Sequence, residues 1–302
     1  MNSNRVEQLI QEAPNMSKLD IISALKELRS TNPVDRLADP QYRIAEDFEQ
    51  MRELIQSSNW PKAVPDRYIV DLTSKGEKYE RANDILRFMI TGPLEGKRFL
   101  DFGCGEGHLS HAASVRAEYA VGYDITAPAI PEFSWDVEEG NVLLTTSLRR
   151  MQSEGPFDVI LLYDVLDHCH DPVEVLKTIR GVAKPDSLIC VRCHPWCSRH
   201  GGHLYHQMNK AFVHLVFTDT ELGLLGLEMP KMKRVLVPHV IYQKWVQGAN
   251  FRKAHFVTEE RNPEPIFRSN RFVRARITRL FDPPGWPATQ LRQNFVDFVL
   301  KF

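Results

Sequence analysis

Three glycines fall within seven residues in Asp101-Phe102-Gly103-Cys104-Gly105-Glu106-Gly107. Such a run lets the backbone turn sharply and lets a ligand approach where a Cβ would collide. Arg98-Phe99-Leu100 reads as a short strand leading into it, and a helix is expected to start near Gly107-His108-Leu109. That helix would aim free N–H groups and its dipole at an anionic group. The spacing separates ligand classes. A dinucleotide fingerprint, Gly-x-Gly-x-x-Gly, would need its third glycine at 108, which is His108. Here the pattern is Gly-x-Gly-x-Gly, with Asp101 two residues ahead of the first glycine. This suits a ligand that lacks pyrophosphate but has a carboxylate and an ammonium. Asp101 would serve the ammonium, directly or through water, and loop N–H groups would serve the carboxylate. Tyr119-Ala120-Val121-Gly122-Tyr123-Asp124 reads as a second strand ending in an acid, which can accept both hydroxyls of a ribose.

Further reactive residues are expected at the ends of later strands, where ligands bind in open α/β sheets. They are Tyr163, Asp164, His168 and the segment His194-Pro195-Trp196-Cys197. His194, Cys197, His200, His203 and His206 recur every three residues, which raises the question of a metal. A three-residue step drifts about 60° per repeat on a helix, so the five cannot meet one ion. Gly201-Gly202 also argues against a continuous helix. No metal site is expected; the segment reads either as acceptor binding or proton transfer by one or two histidines, or as ordinary polar packing. Cys190 and Cys193 lie three apart on a predicted strand, point to opposite faces and cannot converge on a cluster.

The elements that must hold these groups divide the chain. Residues 1–78 are expected to form a helical extension. Ser17-Lys18-Leu19-Asp20 resembles a capping box ahead of Leu19, Ile22, Leu25 and Leu28 at helical spacing. A second amphipathic stretch runs from Tyr42 to Ile55, with Glu46, Asp47 and Glu49 as its solvent face. Residues 79–302 are expected to form the main domain, with an insertion at about 194–250. It opens with a helix from Tyr79 to Ile90. Predicted strands follow at Arg98–Phe102, Tyr119–Asp124, Val142–Thr145, Phe157–Tyr163 and Ser187–Cys193, with a helix at Pro172–Val182. This alternation implies a parallel sheet wrapped by helices. A helix should start near Thr218 or Asp219, a strand pair is expected at Val235–Tyr242 and Arg252–Thr258, and Phe295–Lys301 suits a last strand.

The formal net charge of -1 gives no global field favouring nucleic acid or a membrane surface. No apolar run approaches the roughly 20 residues that span a bilayer, and Met1-Asn2-Ser3-Asn4-Arg5 leads into a polar stretch. With five cysteines, an odd number, the expectation is a soluble cytoplasmic protein with reduced thiols. Oligomeric state is not legible. Arg268, Arg271, Arg274, Arg276 and Arg279 interleave with Phe267, Phe272 and Phe281, which offers a nucleic-acid surface as one reading. A helix with a solvated basic face is the favoured one.

These motifs together resemble the class I S-adenosylmethionine-dependent methyltransferase family. Leu100 to Gly107 is similar to its first motif, and Val121-Gly122-Tyr123-Asp124 to its ribose-binding strand end. Pro156–Leu162 resembles its fourth strand. Val165-Leu166-Asp167-His168-Cys169-His170-Asp171-Pro172 resembles its Val-Leu-Glu-His…Asp-Pro stretch, and Ala183–Ile189 its entry to strand five. The resemblance implies a Rossmann-like α/β sheet of seven strands with the last antiparallel, and S-adenosylmethionine as cofactor. It implies cofactor contacts from Asp101, Gly103, Gly105, Gly107, Asp124, Thr146 and Tyr163. Where the family often has an adenine-binding acid, this chain has Thr145-Thr146-Ser147, so a hydroxyl or backbone group would substitute. The implied activity is methyl transfer to a small-molecule or metabolite-like acceptor, with His168 or His194 as base. RNA or DNA methylation is the alternative, and a non-catalytic binding or assembly protein retaining the fold is another.

Overall fold

The computed structural model describes residues 45–57, 59–66, 74–280 and 287–302. The predicted helix around Ser17–Leu28, together with Tyr42, Ile44 and Phe281, lies outside the described residues. Along the chain, α1 (Ala45–Gln56) and α2 (Lys75–Met89) precede β1 (Arg98–Phe102), α3 (His108–Ser114), β2 (Tyr119–Tyr123) and β3 (Glu138–Glu139). Next come β4 (Val142–Thr145), α4 (Leu148–Ser153), β5 (Phe157–Tyr163), a 3-10 turn (Leu166–His168), α5 (Pro172–Val182) and β6 (Ala183–Cys193). Then follow α6 (Val213–Val216), α7 (Asp219–Leu224), α8 (Pro238–Gly248) and β7 (Lys253–Glu260). Last are α9 (Ile266–Ser269), α10 (Arg271–Thr278), α11 (Ala288–Arg292) and β8 (Gln293–Lys301).

These elements form two compact units, each built from separate stretches of chain. The sheet unit comprises Asp71–Pro195, Met232–Glu259 and Phe295–Phe302. Its eight strands run in the order β3-β4-β2-β1-β5-β6-β8-β7. β1 is parallel to β2 and β5, β2 to β4, and β5 to β6, while β8 is antiparallel to β6. The eighth strand beyond the expected seven is β3, two residues long, antiparallel to β4 at the sheet edge. The central strands read as apolar runs because both faces are covered. Leu100, Val121, Ile160 and Val191 share one core with Leu176 and Ile179 of α5 and Tyr242 and Val246 of α8. Phe99, Ala120, Leu161 and Cys190 share the other with Leu86 and Met89 of α2 and Ala112 and Ala113 of α3. Each buried leucine or isoleucine contributes about 1.5–3 kcal/mol. Cys190 and Cys193 fall in opposite cores, as the period of a strand requires.

Helix starts follow local chemistry. Ser74 caps α2 with a reciprocal box to Glu77, and Asp171 caps α5 by accepting from the N–H groups of Val173 and Glu174, with Pro172 in the first turn. The expected strand at Val235–Tyr242 is instead the approach to α8. Pro238 opens that helix, and the buried Tyr242, Val246 and Ala249 recur at helical, not alternating, spacing.

The second unit contains α1, Trp196–Lys231 and Glu260–Asn294. Phe48, Met51 and Ile55 form the buried stripe of α1. Glu49, expected on the solvent face, is 2% exposed and pairs with Arg52 one turn later at 2.8 Å. Phe267 packs edge-on against Trp60 and Phe212 with ring centroids 5.5 and 4.8 Å away. Arg199 is buried, and its guanidinium donates to the carbonyls of Lys62 and Ala63 while pairing with Glu264. Arg276 of α10 is buried against Glu221 of α7. Arg276 and Phe267 are therefore core groups, which leaves Arg268, Arg271 and Arg274 as the exposed arginines of that stretch.

Candidate active site

The glycine loop lies where the sequence requires it, between β1 and α3. Gly103 (φ +81°) and Gly107 (φ +88°) occupy the left-handed region. A Cβ on Gly103 would sit 2.4 Å from Val165 Cγ2, and one on Gly107 would sit 2.4 Å from Leu144 Cδ1. Gly103 and Cys104 donate their N–H groups to the Tyr123 carbonyl at 2.7 and 3.0 Å, which ties the loop to β2. Asp124, just past β2, accepts from the Gly105 N–H at 2.9 Å and the Thr126 N–H at 3.3 Å. Asp101 is buried under the loop and accepts from Ser110 Oγ at 2.8 Å. Burial pushes its carboxyl up to about 7, with the Asp124 charge adding to the rise and Ser110 opposing it.

At the end of β4, Thr146 is half-buried and its N–H lies 3.4 Å from Asp136 Oδ1, the oxygen to which Thr145 Oγ1 also donates. An acid therefore reaches this strand end from ten residues upstream, held at φ 59°. Its signal in the sequence is weak, because Asp136 lies in an irregular stretch remote from the Thr145-Thr146-Ser147 run. Ile125, next to Asp124, is 79% exposed.

The ends of β5 and β6 bring two candidate groups together. Asp164 has a left-handed backbone (φ 58°), and its Oδ1 stands 3.2 Å from Nδ1 of the buried His194. A non-glycine residue at positive φ is uncommon, and such conformations cluster at functional sites. Val165, the neighbour of Asp164, is the residue that Gly103 approaches, so this strand end adjoins the glycine loop. Behind it, Asp167 is buried and accepts from Tyr242 Oη at 2.9 Å. Burial pushes the Asp167 carboxyl up to about 8. His168 lies at the exposed end of the 3-10 turn, and Tyr163 is half-buried with its hydroxyl pushed up by burial. The sequence places Asp164 and His194 among the candidate groups at the ends of successive strands without pairing them. Their pairing follows from the parallel register Tyr163↔Arg192, which sets the two strand ends side by side.

The segment after His194 consists of turns, and Trp196 to Gly202 are buried in the second unit. His214 Nε2 meets the Trp196 carbonyl at 2.6 Å, and a Cβ on Gly202 would be 2.4 Å from His214. Among the described residues, the trio whose ligand atoms lie within 4.8 Å of one another is Glu106, His108 and Glu132, in the sheet unit. A cation already holds that position: Lys78 Nζ lies 2.8 Å from Glu106 and 2.6 Å from Glu132. His108 Nε2 meets Glu132 at 3.0 Å.

A family profile described as a methyltransferase domain matches residues 75–225, half of the chain, including the glycine loop and both strand ends. The chain belongs to the class I S-adenosylmethionine-dependent methyltransferases. Within that family it is 35% identical over 104 residues to a ubiquinone biosynthesis O-methyltransferase of Caulobacter sp., covering 33% of this chain and 41% of that protein. The protein of the same name from Pseudomonas aeruginosa is 32% identical over 97 residues, covering 30% and 42%. The chain thus spans about two fifths of the length of these curated relatives. Among solved structures, an S-adenosylmethionine-dependent methyltransferase from Archaeoglobus fulgidus aligns over 76% of this chain and 95% of its own, at 15% identity and TM-score 0.42. The plantazolicin methyltransferase BamL, solved with S-adenosylhomocysteine, aligns over 85% and 98%, at 15% identity and TM-score 0.42.

The glycine loop fits the family's cofactor. Asp101 is a buried carboxyl whose neighbours, Ser110 and Asp124, bring no positive charge, so an ammonium is the partner its position lacks. The close approach at Gly103 and Gly107 leaves no room for side chains between the loop and its neighbours. No helix among the described residues is long and apolar enough to cross a membrane.

Proposed function

We propose that this methyltransferase transfers a methyl group to a hydroxyl of a small-molecule acceptor, with His194 as general base. The observation that carries the reading is the Asp164–His194 contact of 3.2 Å beside the glycine loop. A base is needed only when the acceptor is protonated as it attacks, as a hydroxyl is. Asp164 would hold the Nδ1 proton and offset the imidazolium charge, leaving Nε2 to take the acceptor's proton. The O-methyltransferase names of the curated relatives support this acceptor class. His168, exposed at the turn's end, is the weaker candidate for the same role.

When bound, S-adenosylmethionine supplies an electrophilic methyl group on a sulfonium. Asp101 would pair with its ammonium, and the loop at Gly103, Gly105 and Gly107 would take the carboxylate. Asp124 would receive the ribose hydroxyls. Thr146 and Asp136 would meet the adenine edge, with Ile125 against its face and Tyr163 lining the methyl end. The reading is tested by incubating the protein with S-adenosylmethionine and matched phenols, alcohols and amines, and measuring S-adenosylhomocysteine release. Turnover with amines but not hydroxyl compounds would sink it.

Two binding predictions follow from the loop. Asp124→Ala should weaken S-adenosylhomocysteine binding by about one to two orders of magnitude, the worth of charged hydrogen bonds to a ribose. Unchanged affinity in calorimetry would remove the ribose assignment. The second concerns pH. With Asp101 raised to about 7, its carboxyl is largely neutral at pH 6 and ionises as pH rises. An ammonium favours the ionised form, so affinity should increase about five- to tenfold between pH 6 and 7.5. Asp101→Asn should flatten that dependence, and an identical slope in the variant would show that another group titrates.

A further inference from the structure

Two helices of the sheet unit each carry a pair of side chains, one helical turn apart, that meets the chain following β2. The capping box of Ser74 and Glu77 fixes the first turn of α2, which sets Lys75 and Lys78 side by side; His108 and His111 stand in the same relation on α3. Glu132 and Phe133 meet all four. Glu132 Oε1 lies 2.6 Å from Lys78 Nζ, and its Oε2 lies 3.0 Å from His108 Nε2. The Phe133 ring stacks on His111, with centroids 3.7 Å apart and planes at 17°, and Lys75 Nζ lies 4.3 Å from the Phe133 centroid. Lys78 Nζ also lies 2.8 Å from Glu106 Oε2, so one ammonium joins Glu106 of the glycine loop to Glu132. Without that ammonium the two acids would repel each other, since a carboxylate oxygen of each lies within 4.8 Å of the other.

We infer that Lys78 is a positioning residue for the cofactor: it latches the glycine loop to the connection between β2 and β4 and so slows the release of S-adenosylhomocysteine. This rests on the reading of the glycine loop, Asp124, Ile125 and Asp136 as cofactor contacts. The loop would hold the amino-acid end of the ligand. The connection starts at Asp124 and Ile125 and passes through Asp136, so it would hold the ribose and the adenine. Its only regular element is the two-residue strand β3, so side chains must set its place. The Asp136 N–H anchors its far part at 2.7 Å from the Leu144 carbonyl, and Glu132 and Phe133 anchor its middle. A single exposed ion pair contributes little. Here, however, one cation stands between carboxylates on two separate segments, and its loss replaces two attractions with a repulsion. The latch thus couples the spacing of the two segments to one side chain of α2.

The test measures release of tritium-labelled S-adenosylhomocysteine from the full-length protein, chased with an excess of unlabelled ligand. Hydrogen exchange of residues 125–137 in the ligand-free protein is the second readout. Lys78→Met should speed release about three- to tenfold and raise exchange in that segment. Adding Glu132→Gln to Lys78→Met removes the repulsion, so the double variant should release the ligand more slowly than Lys78→Met, a reversal that lost packing would not produce. Lys78→Arg, whose guanidinium can span both acids, should stay within about twofold of wild type. Unchanged release in Lys78→Met would overturn the proposal, as would a double variant that releases as fast as Lys78→Met or faster. The cofactor assignment fails separately: unchanged affinity in Asp124→Ala would remove the ribose contact, while exchange in the ligand-free protein would still report whether Lys78 holds the connection.

Discussion

Replacing His194 with alanine is expected to lower the rate of methyl transfer to a hydroxyl acceptor by about a hundred- to ten-thousandfold, the range for losing a general base. S-adenosylhomocysteine should bind as before, since His194 is not among the proposed cofactor contacts, which come from the glycine loop and the ends of β1, β2, β4 and β5. The loss should fall on kcat, because the imidazole matters when the hydroxyl gives up its proton. It should also shrink as the acceptor becomes more acidic: a phenol ionised at the assay pH needs no base. Comparing a weakly acidic alcohol with an acidic phenol in wild type and His194→Ala checks this. Equal losses for both would mean that His194 acts by packing against Phe295, from whose ring centroid it lies 4.1 Å, and not by proton transfer.

The second large effect is on stability. Arg276 and Glu221 are 4% and 6% exposed, and their side chains meet in two contacts of 2.8 and 3.0 Å. Arg276 also donates to the Val216 carbonyl at 3.0 Å. Removing the arginine alone strands a buried carboxylate, so Arg276→Met should cost about 3–5 kcal/mol. Glu221 has a second duty. It forms the capping box of α7 with Thr218, which a glutamine can retain. Arg276→Met with Glu221→Gln should therefore recover part of the loss, because no charge is left buried without its partner. Urea melts of the single and double variants provide the check. If the double variant is as unstable as the sum of the two singles, the cost lies in lost packing and not in the stranded charge.

Much of the sheet unit was legible because each strand is local and covered on both faces. Arg98–Phe102, Val142–Thr145 and Phe157–Tyr163 are apolar runs bounded by breakers, and the structure has strands with those limits. Pro172–Val182 announced itself through Asp171 and Pro172. What escaped is non-local. Asp136 reaches the end of β4 from a loop, and Asp164 meets His194 across 30 positions of sequence through strand register. Glu49 and Arg276 looked like solvated charges because nothing in their local pattern reveals a partner that permits burial. Val235–Tyr242 was misread because short apolar runs fit either period, and Pro238 was the clue that should have decided it.

The strand order has a consequence for how the chain is made. β8 follows β7 in sequence yet lies between β6 and β7 in the sheet. Until β8 has left the ribosome, β6 presents a bare hydrogen-bonding edge and β7 has no strand to join. The sheet therefore cannot close in the order of synthesis, and its nascent form carries the open edge that invites pairing with a neighbouring polypeptide. Ile189 to Cys193 of β6, whose antiparallel mate β8 is translated only after β7, is the stretch most in need of shielding during that interval.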